Sequence, residues 1–334
     1  YSNLFIELND MKASQATAVS AEPVSLEDIQ DAHRRIQSHI HCTPVVSSTL
    51  LDELSGCTVR FKCENLQKVG AFKARGALNA VLGLPESDLA AGVATHSSGN
   101  HGAALALAAR SRDIPARIVM PANAPEVKKA AVRGYGGTVI ECEPTLAARE
   151  DTLARVVDEH HSHVVHPYDD VRIIAGQGTC GLELLEQFPE LEVLLVPVGG
   201  GGLLAGVATA VKSLRPDVEV IAVEPAGADD AFRSFRAGHR ILQEAPQTIA
   251  DGLLTSLGEL NFPIIRDLVD DIITVDDDGI VEAMQLQWTR LKLVVEPSGA
   301  VTFGGLLAHA SRFRGRRVAC VITGGNVDLS RLPW

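Results

Sequence analysis

The sequence predicts an α/β protein with mostly parallel sheets flanked by helices. Short runs rich in β-branched residues alternate along the chain with Ala/Leu-rich amphipathic stretches, and this alternation is typical of parallel strands with helices on both faces. No repeat or low-complexity segment interrupts it. A chain of 334 residues with 46% hydrophobic content can bury a large core, and its length favours two lobes over one simple domain.

Charge and cysteine usage narrow the class of protein. The formal net charge of −12 argues against nucleic acid and anionic membranes as partners, because an acidic surface is repelled by both. Apolar runs stay below the roughly twenty residues that span a bilayer. The six cysteines lack close pairs, which fits reduced thiols better than disulfides or zinc. We therefore expect a cytoplasmic protein.

The first helix is predicted to begin after Ser25. The segment Ser25-Leu-Glu-Asp28 has a capping-box pattern, and apolar residues recur at helical spacing from Leu26 to Ile40. Residues 1–24 are expected to be a flexible segment, with 1–10 a non-native remainder because Met11 can serve as a natural start. Strands are predicted at 59–61, 93–95, 117–120, 138–141, 164–166, 193–198, 218–223 and 318–323.

The seven residues Gly70-Ala-Phe-Lys-Ala-Arg-Gly76 predict a reactive lysine. A lysine amine becomes a nucleophile when desolvation or neighbouring cations lower its pKa. Here Phe72 provides an apolar neighbour and Arg75 a charge. Lys73 is therefore our candidate for covalent capture of a carbonyl cofactor, and the alternative is an ordinary solvated lysine.

A second segment, Ser97-Ser98-Gly99-Asn100-His101-Gly102, follows the short apolar run Val93–Thr95 and precedes an Ala/Leu-rich stretch. This order predicts a strand, a turn and a helix N-terminus. Hydroxyls, an amide and free backbone N–H groups at such a turn can bind a carboxylate or phenolate. Helix capping accounts for one serine and one glycine, but it does not require six such residues in succession.

Four consecutive glycines, Gly199 to Gly202, follow the apolar run Val193–Pro197. Glycine lets backbone amides approach a phosphate without interference from a Cβ atom. An NAD site is the alternative, because Gly200-x-Gly202-x-x-Ala205 also fits the dinucleotide fingerprint and Glu224 ends a strand about twenty residues later. That fingerprint usually lies in an N-terminal βαβ unit, whereas these glycines lie past mid-chain.

Together, these segments resemble the serine/threonine dehydratase and serine racemase family, whose members are fold-type-II pyridoxal-phosphate enzymes. Two further segments, Glu296-Pro-Ser-Gly299 and Thr323-Gly-Gly-Asn326, complete the family order. The resemblance implies two domains with parallel-rich twisted sheets and the cofactor in the cleft between them. Residues 25–91 and 170–334 would form the large cofactor-binding domain and 92–169 the small domain. A homodimer is also implied.

The resemblance assigns roles residue by residue. Lys73 would hold the cofactor aldehyde and then remove the α-proton from one face of the substrate, and Ser98 would be the acid/base on the opposite face. His101 would position or pack the loop rather than act as a base. The cofactor contacts would come from Phe72, Lys73, Asn100, Gly199, Gly200, Gly201, Gly202 and Thr323. The substrate carboxylate would be bound by Ser97, Ser98, Asn100 and His101.

Thr323 would face the pyridine nitrogen of the cofactor, where most relatives carry Ser or Cys. A neutral hydroxyl cannot keep that nitrogen protonated as an aspartate would, so the ring is a weaker electron sink. Proton loss is then best coupled to departure of a β-hydroxyl, which favours elimination over transamination.

The segment Glu224-Pro-Ala-Gly-Ala228-Asp-Asp230 resembles the divalent-cation site of the family. The carboxylates of Glu224 and Asp230 and the carbonyl of Ala228 would be its ligands, and such oxygen ligands suit Mg²⁺, Mn²⁺ or Ca²⁺. The alternative is an acidic turn after a strand. The histidines near 160–166 are interpreted as an ordinary surface turn rather than a metal site.

The function implied by the resemblance is a pyridoxal-phosphate dehydratase that converts L-serine, L-threonine or a related β-hydroxy amino acid to a 2-keto acid and ammonia. Serine racemisation is an alternative because Ser98 offers a proton donor on the opposite face. A third possibility is L-threo-3-hydroxyaspartate, whose second carboxylate would need a cation such as Arg75 or Arg133. From a different class, an NAD-binding dehydrogenase stays open at this point.

Overall fold

The computed structural model describes residues 24–97 and 99–334, so the predicted N-terminal segment lies outside the described residues up to position 23. The strands are β1 (Val45–Val46), β2 (Thr58–Cys63), β3 (Val93–His96), β4 (Ala116–Pro121), β5 (Thr138–Cys142), β6 (His163–Val164), β7 (Val193–Pro197), β8 (Glu219–Pro225), β9 (Asp271–Val275) and β10 (Arg317–Ile322). The α-helices are α1 (Leu26–Ile36), α2 (Thr49–Ser55), α3 (Lys73–Leu82), α4 (Asn100–Arg110), α5 (Glu126–Gly134), α6 (Leu146–His160), α7 (Val171–Gln187), α8 (Gly202–Leu214), α9 (Asp230–Ala237), α10 (Asn261–Leu268), α11 (Asp277–Leu286), α12 (Pro297–Ala308) and α13 (Ala310–Phe313).

The larger sheet has the strand order β1-β2-β10-β7-β8-β9. Its strands pair in parallel except β1, which is antiparallel to β2. The carboxyl ends of parallel strands meet at one edge of a sheet, where α/β proteins bind ligands. Because β10 lies between β2 and β7, Thr323 at the end of β10 comes beside the segments that follow those two strands.

The smaller sheet has the order β5-β4-β3-β6, with every pair parallel, and its strands all lie between residues 93 and 164. Helices α4 and α5 cover one face, and α6 packs on the other through Leu153 and Val156. Helix α4 also packs against α3. Since α3 begins at Lys73 and α4 begins at Asn100, this contact brings two of the predicted site segments together.

The core of the larger sheet lies on both of its faces. Helices α7 and α8 cover one face, and α11 and α12 cover the other. Helices α7 and α8 approach each other closely, since a Cβ atom on Gly206 would lie 2.2 Å from the carbonyl oxygen of Ile174. Among the described residues, no helix is long and apolar enough to cross a membrane.

The predicted α/β class with parallel sheets flanked by helices is confirmed, and so is the capping box of α1. Helix α1 ends at Ile36 rather than continuing to Ile40, because the backbone turns where His39 N donates to Ile36 O at 2.7 Å. Strands β1 and β9 have no counterpart in the sequence prediction. β1 is two residues long and exists through its pairing with β2, and β9 is an edge strand whose first residue, Asp271, follows Asp270.

Candidate active site

Lys73 is the first residue of α3, and its amine is directed toward the loop between β6 and α7. Nζ donates a hydrogen bond to the carbonyl oxygen of Pro167 at 2.7 Å. Desolvation lowers the pKa of this amine from 10.5 to about 8. A pKa in this range leaves a larger neutral fraction near pH 7 than a solvated lysine has, and a neutral amine can act as nucleophile or base.

The loop that carries Pro167 is fixed on both sides of that carbonyl. His166 Nδ1 accepts from the backbone N–H of Asp169 at 2.8 Å. The carboxylate of Asp169 accepts from the backbone N–H groups of Glu259 and Leu260, each at 2.9 Å. The acceptor of the Lys73 amine is therefore held by local contacts and by the segment before α10. The sequence prediction gives no role to this loop.

The glycines between β7 and α8 present unpaired backbone donors. Within the described residues, the N–H groups from Gly199 to Leu203 donate to no backbone acceptor. Gly201 has φ +91°, a conformation that favours glycine. A Cβ atom on Gly200 would lie 2.3 Å from the ring of Tyr168, so the close approach of that ring requires glycine there. Unpaired N–H groups at the start of the long helix α8 suit a phosphate.

Asn100 belongs to a hydrogen-bond network with the buried carboxylate of Glu296 and with Asn326. Its Nδ2 donates to Glu296 Oε1 at 2.8 Å, and its Oδ1 accepts from Asn326 Nδ2 at 2.9 Å. The backbone N–H of Asn326 donates to Glu296 Oε2 at 3.1 Å. Burial, and then the charge of Asp251, raise the pKa of Glu296 to about 7. Glu296 and Asn326 were recognised as parts of motifs, but their contact with Asn100 was not predicted.

Thr323 and Phe72 lie at the end of β10 and the start of α3. The backbone N–H of Phe72 donates to the Thr323 carbonyl at 3.0 Å. The Thr323 hydroxyl is buried and donates to the Ser298 carbonyl at 3.3 Å, so its oxygen remains available as an acceptor. The ring of Phe72 lies 5.0 Å from Lys73 Nζ. Both predicted cofactor contacts are thus adjacent to the reactive lysine along the sheet edge.

The turn after β3 is closed by Ser97, whose Oγ accepts from the N–H groups of Gly99 and Gly102 at 3.4 and 3.2 Å. His101 is 2% exposed, and its Nε2 lies 3.2 Å from the Val165 carbonyl. Desolvation and then the charge of Lys73 hold the pKa of His101 well below its usual value. Its neutral ring therefore donates from Nε2. Ser98 lies outside the described residues, and its catalytic role stays a prediction.

The family model of the pyridoxal-phosphate dependent enzymes matches residues 36–324. The chain belongs to this family. The predicted family resemblance and fold type are therefore confirmed. The four glycines are part of a pyridoxal-phosphate enzyme rather than of an NAD-binding dehydrogenase, and the unpaired amides beside an amine of lowered pKa fit that cofactor.

Curated relatives of this pyridoxal-phosphate enzyme cover nearly the whole chain. The β-hydroxyaspartate dehydratase of Paracoccus denitrificans is 50% identical over 92% of this chain and 98% of its own length. The serine racemase of Dictyostelium discoideum is 47% identical over 92% of this chain and 97% of its own length. Dehydratases and racemases thus lie at similar distances from this chain.

Solved structures give the same result. Maize serine racemase superposes with a TM-score of 0.91 and 45% identity, covering 92% of this chain and 95% of its own. A bacterial threonine deaminase, from T.th., superposes with a TM-score of 0.88 and 46% identity, covering 92% of this chain and 100% of its own. The fold agrees among these solved structures, whereas their named reactions differ.

The predicted cation ligands of this family member lie at the end of β8 and in the segment after it, but most of their carboxylate oxygens already accept hydrogen bonds. The Glu224 carboxylate accepts from the N–H groups of Ala231 and Phe232 at 2.9 and 2.8 Å. Asp230 Oδ2 accepts from Leu257 N at 2.9 Å, whereas its buried Oδ1 has no partner in the described residues. Burial raises the pKa of Glu224 well above its usual value and that of Asp230 to about 6.

Two neighbouring buried carboxylates with one unpartnered oxygen fit a cation electrostatically. Ala228, the third predicted ligand, is also buried. Among the described residues, however, no group of three or more His, Cys, Asp or Glu side chains is arranged to hold a metal. The histidines at 160–166 form no such group either. The divalent cation therefore stays a prediction that needs a carbonyl and water among its ligands.

Neither arginine proposed for a second substrate carboxylate is free in the structure. Arg75 is fully buried and pairs with Glu64 and Glu183, with nitrogen–oxygen distances of 2.7 to 2.8 Å. The expectation that Arg75 lowers the pKa of Lys73 is wrong, since desolvation alone accounts for that shift. Arg133 pairs on the surface with Glu126 at 2.5 Å.

Arg149 was missed by the sequence prediction. It lies in the first turn of α6, its Nε is buried without a hydrogen-bond partner, and it pairs with no carboxylate of the described residues. Desolvation, the charge of Glu150 and that of Arg149 act on His96, the residue before Ser97, and the net effect lowers the pKa of His96. Arg149 is thus a cation without a described carboxylate partner, and its charge acts on the residue that precedes the Ser97 turn.

Proposed function

We propose that this chain is a pyridoxal-phosphate dehydratase that converts a β-hydroxy amino acid to a 2-keto acid and ammonia. The amine of Lys73, with its pKa lowered to about 8 and its position fixed by the Pro167 carbonyl, is the observation that supports the proposal most directly. L-Serine and L-threonine are the expected substrates. The family membership and the dehydratase relatives support the same class of reaction.

When bound, pyridoxal phosphate supplies the carbonyl group that captures the substrate amine and the ring that withdraws electrons from Cα. Lys73 then accepts the α-proton at Nζ. The electron pair left at Cα forms the Cα–Cβ double bond as the Cβ–O bond breaks, and the departing hydroxide becomes water by taking up the proton that Lys73 Nζ then holds. The released enamine tautomerises, and one water molecule hydrolyses it to the keto acid and ammonia.

The environment of Thr323 favours elimination over transamination. Its hydroxyl is neutral, and its proton is engaged by the Ser298 carbonyl at 3.3 Å. Such a group carries no negative charge that would stabilise a protonated ring nitrogen, so the electron pair left at Cα is best removed by loss of a β-substituent. Asn100, fixed by Glu296 and Asn326, would orient the ring oxygen of the cofactor.

L-threo-3-hydroxyaspartate is a second candidate substrate, and Arg149 is the observation that favours it. A second carboxylate near the Ser97 turn would need a cation, and the buried, unpartnered Nε of Arg149 supplies one with spare donors. The 50% identity to a relative named β-hydroxyaspartate dehydratase supports the same substrate class.

Serine racemisation is the alternative reaction. It is supported by the serine racemase relatives and requires a proton donor on the face opposite Lys73. Ser98 is the predicted donor. Ser98→Ala would then abolish D-serine formation while leaving proton removal by Lys73 in place, and unchanged racemisation would rule out this role.

The first test is keto-acid release from L-serine, L-threonine and L-threo-3-hydroxyaspartate in parallel, with pyridoxal phosphate and Mg²⁺ present. Release from any of them at a rate above that of free cofactor supports β-elimination and ranks the substrates. A protein that shows the visible absorption of bound cofactor but releases no keto acid from any substrate would contradict the proposal. The homodimer remains a proposal that analytical ultracentrifugation of the same preparation can test.

A further inference from the structure

Asn261 is a fully buried polar residue next to the glycine loop. It is the first residue of α10, and its side chain is 0% exposed. Its Nδ2 donates to the carbonyl oxygens of Gly200 and Tyr168, at 2.7 and 3.1 Å. Its Oδ1 is buried and has no hydrogen-bond partner in the described residues.

The two carbonyl oxygens determine the orientation of the Asn261 amide. Both are acceptors only, so the NH₂ group must face them and the oxygen must point away. Leaving a buried oxygen unpaired costs free energy. The Asn261 side chain therefore makes two hydrogen bonds to backbone carbonyls but leaves its own oxygen without a donor. An aspartate at this position would place a carboxylate oxygen against the two carbonyl oxygens, and neither side could donate.

The two carbonyls belong to the two loops that meet at the candidate active site. Gly200 is in the glycine loop, where its carbonyl also accepts from Gly258 N at 3.0 Å. In a trans peptide the C=O and the following N–H point in opposite directions. With the Gly200 carbonyl directed at Asn261, the N–H of Gly201, which has no backbone acceptor in the described residues, is directed away from Asn261.

Tyr168 follows Pro167, the residue whose carbonyl accepts from Lys73. The ring of Tyr168 lies against Gly200, where a Cβ would be 2.3 Å from the ring. One side-chain amide thus joins the glycine loop to the loop that holds the reactive amine.

We propose that Asn261 is a positioning residue for the phosphate of the cofactor. It fixes the Gly200–Gly201 peptide plane so that the Gly201 N–H faces the phosphate, and it keeps this peptide in register with the Pro167–Tyr168 loop. The inference rests on the proposed function, because it assigns the unpaired amides of residues 199–203 to that phosphate.

The test compares two ligands that differ in the phosphate alone. Apo-protein is titrated with pyridoxal phosphate and with pyridoxal, and the dissociation constants are read from the visible absorption. Asn261→Asp removes both donors with little change in volume. The expected result is a loss of affinity for pyridoxal phosphate of about ten- to a hundredfold, as for the loss of two hydrogen bonds, with pyridoxal binding unchanged within about twofold. The ³¹P resonance of the bound phosphate should also shift.

Asn79→Asp is the matched control. Asn79 is 2% exposed, and its Nδ2 donates to the Arg172 carbonyl at 2.7 Å. The same substitution there removes a buried donor away from the glycine loop, so the ratio of the two affinities should stay at the parent value. If Asn261→Asp does not fold, Asn261→Ser keeps one donor and should give a smaller loss that is again confined to pyridoxal phosphate.

Equal losses for both ligands, or no loss for either, would overturn the inference. The first would indicate a general structural role, and the second would show that the loop is positioned without Asn261. Failure of the proposed function looks different, because the unsubstituted protein would then bind pyridoxal phosphate but release no keto acid from any of the three substrates.

Discussion

Replacing Arg149 with glutamine should separate the two substrate classes. Arg149 has a buried Nε without a hydrogen-bond partner, it pairs with no described carboxylate, and its charge acts on His96. In the proposed site its guanidinium binds the second carboxylate of L-threo-3-hydroxyaspartate, whereas L-serine has no group to reach it. The substitution should therefore lower kcat/KM for hydroxyaspartate and leave kcat/KM for L-serine nearly unchanged.

The expected magnitude follows from the number of contacts. A hydrogen bond between charged groups contributes about 1.5 to 3 kcal/mol, which corresponds to roughly a 10- to 150-fold change in kcat/KM. The assay is initial-rate release of oxaloacetate from hydroxyaspartate and of pyruvate from L-serine. Arg133→Gln is the matched control, because Arg133 pairs with Glu126 on the surface and should change neither rate.

Two results would refute the reasoning for Arg149. An equal fall for both substrates would mean that Arg149 supports the turn after β3 or binds the α-carboxylate. Unchanged kinetics for both would mean that its unpaired Nε faces no substrate group. Either result would remove the support for hydroxyaspartate and leave L-serine and L-threonine as the expected substrates.

Four further perturbations test the site and its surroundings. Lys73→Ala should abolish the visible absorption of bound cofactor, and a borohydride-reducible adduct at full stoichiometry would contradict its role. Arg75→Met should lower the free energy of unfolding in urea by about 3–5 kcal/mol, since it leaves buried carboxylates uncompensated; a loss below about 1 kcal/mol would contradict that pairing. Chelation by EDTA should lower the Tm, and Asp230→Asn should remove this response if the cation is bound there. The free energy of unfolding of the Glu296→Gln variant should rise by up to about 3 kcal/mol relative to that of the parent as the pH rises from about 4.5 to 7. The reason is that the raised pKa of Glu296 makes its ionisation in the folded parent unfavourable over that window. Unfolding free energies of the two proteins that run parallel with pH would refute this.

The parts of the site that are local in sequence could be predicted. Lys73 and the four glycines lie in strand–turn–helix segments whose chemistry depends on neighbouring residues in the chain, and the structure places both segments at one edge of the larger sheet. A backbone conformation such as φ +91° at Gly201 favours glycine, so it can be recognised from the residue type in the sequence. Such signals need no knowledge of how distant strands pair.

The contacts that orient these groups could not be predicted in the same way. Asn100 and Glu296 are separated by 196 residues, and their hydrogen bond depends on how these distant segments of the chain pack together. Pro167 accepts the Lys73 hydrogen bond through its backbone carbonyl. Every residue type has such a carbonyl, so the side chain at this position does not reveal the contact. Arg75 shows the opposite failure. Its position two residues after Lys73 indicated a charge at the site, but helical geometry directs its side chain into a core where Glu64 and Glu183 neutralise it.

Because the histidines of the site are neutral, a single arginine can determine whether the site prefers a substrate with a second carboxylate. Desolvation is the leading cause that lowers the pKa of His96 and of His101, and it lowers that of His166 to about 4. None of the three adds a positive charge at neutral pH, and Lys73 is committed to the Pro167 carbonyl. In the described part of the site, Arg149 is then a cation without a carboxylate partner whose charge acts on the residue before Ser97. Because the three histidines are neutral at neutral pH, the discrimination between L-serine and hydroxyaspartate should depend on this one side chain.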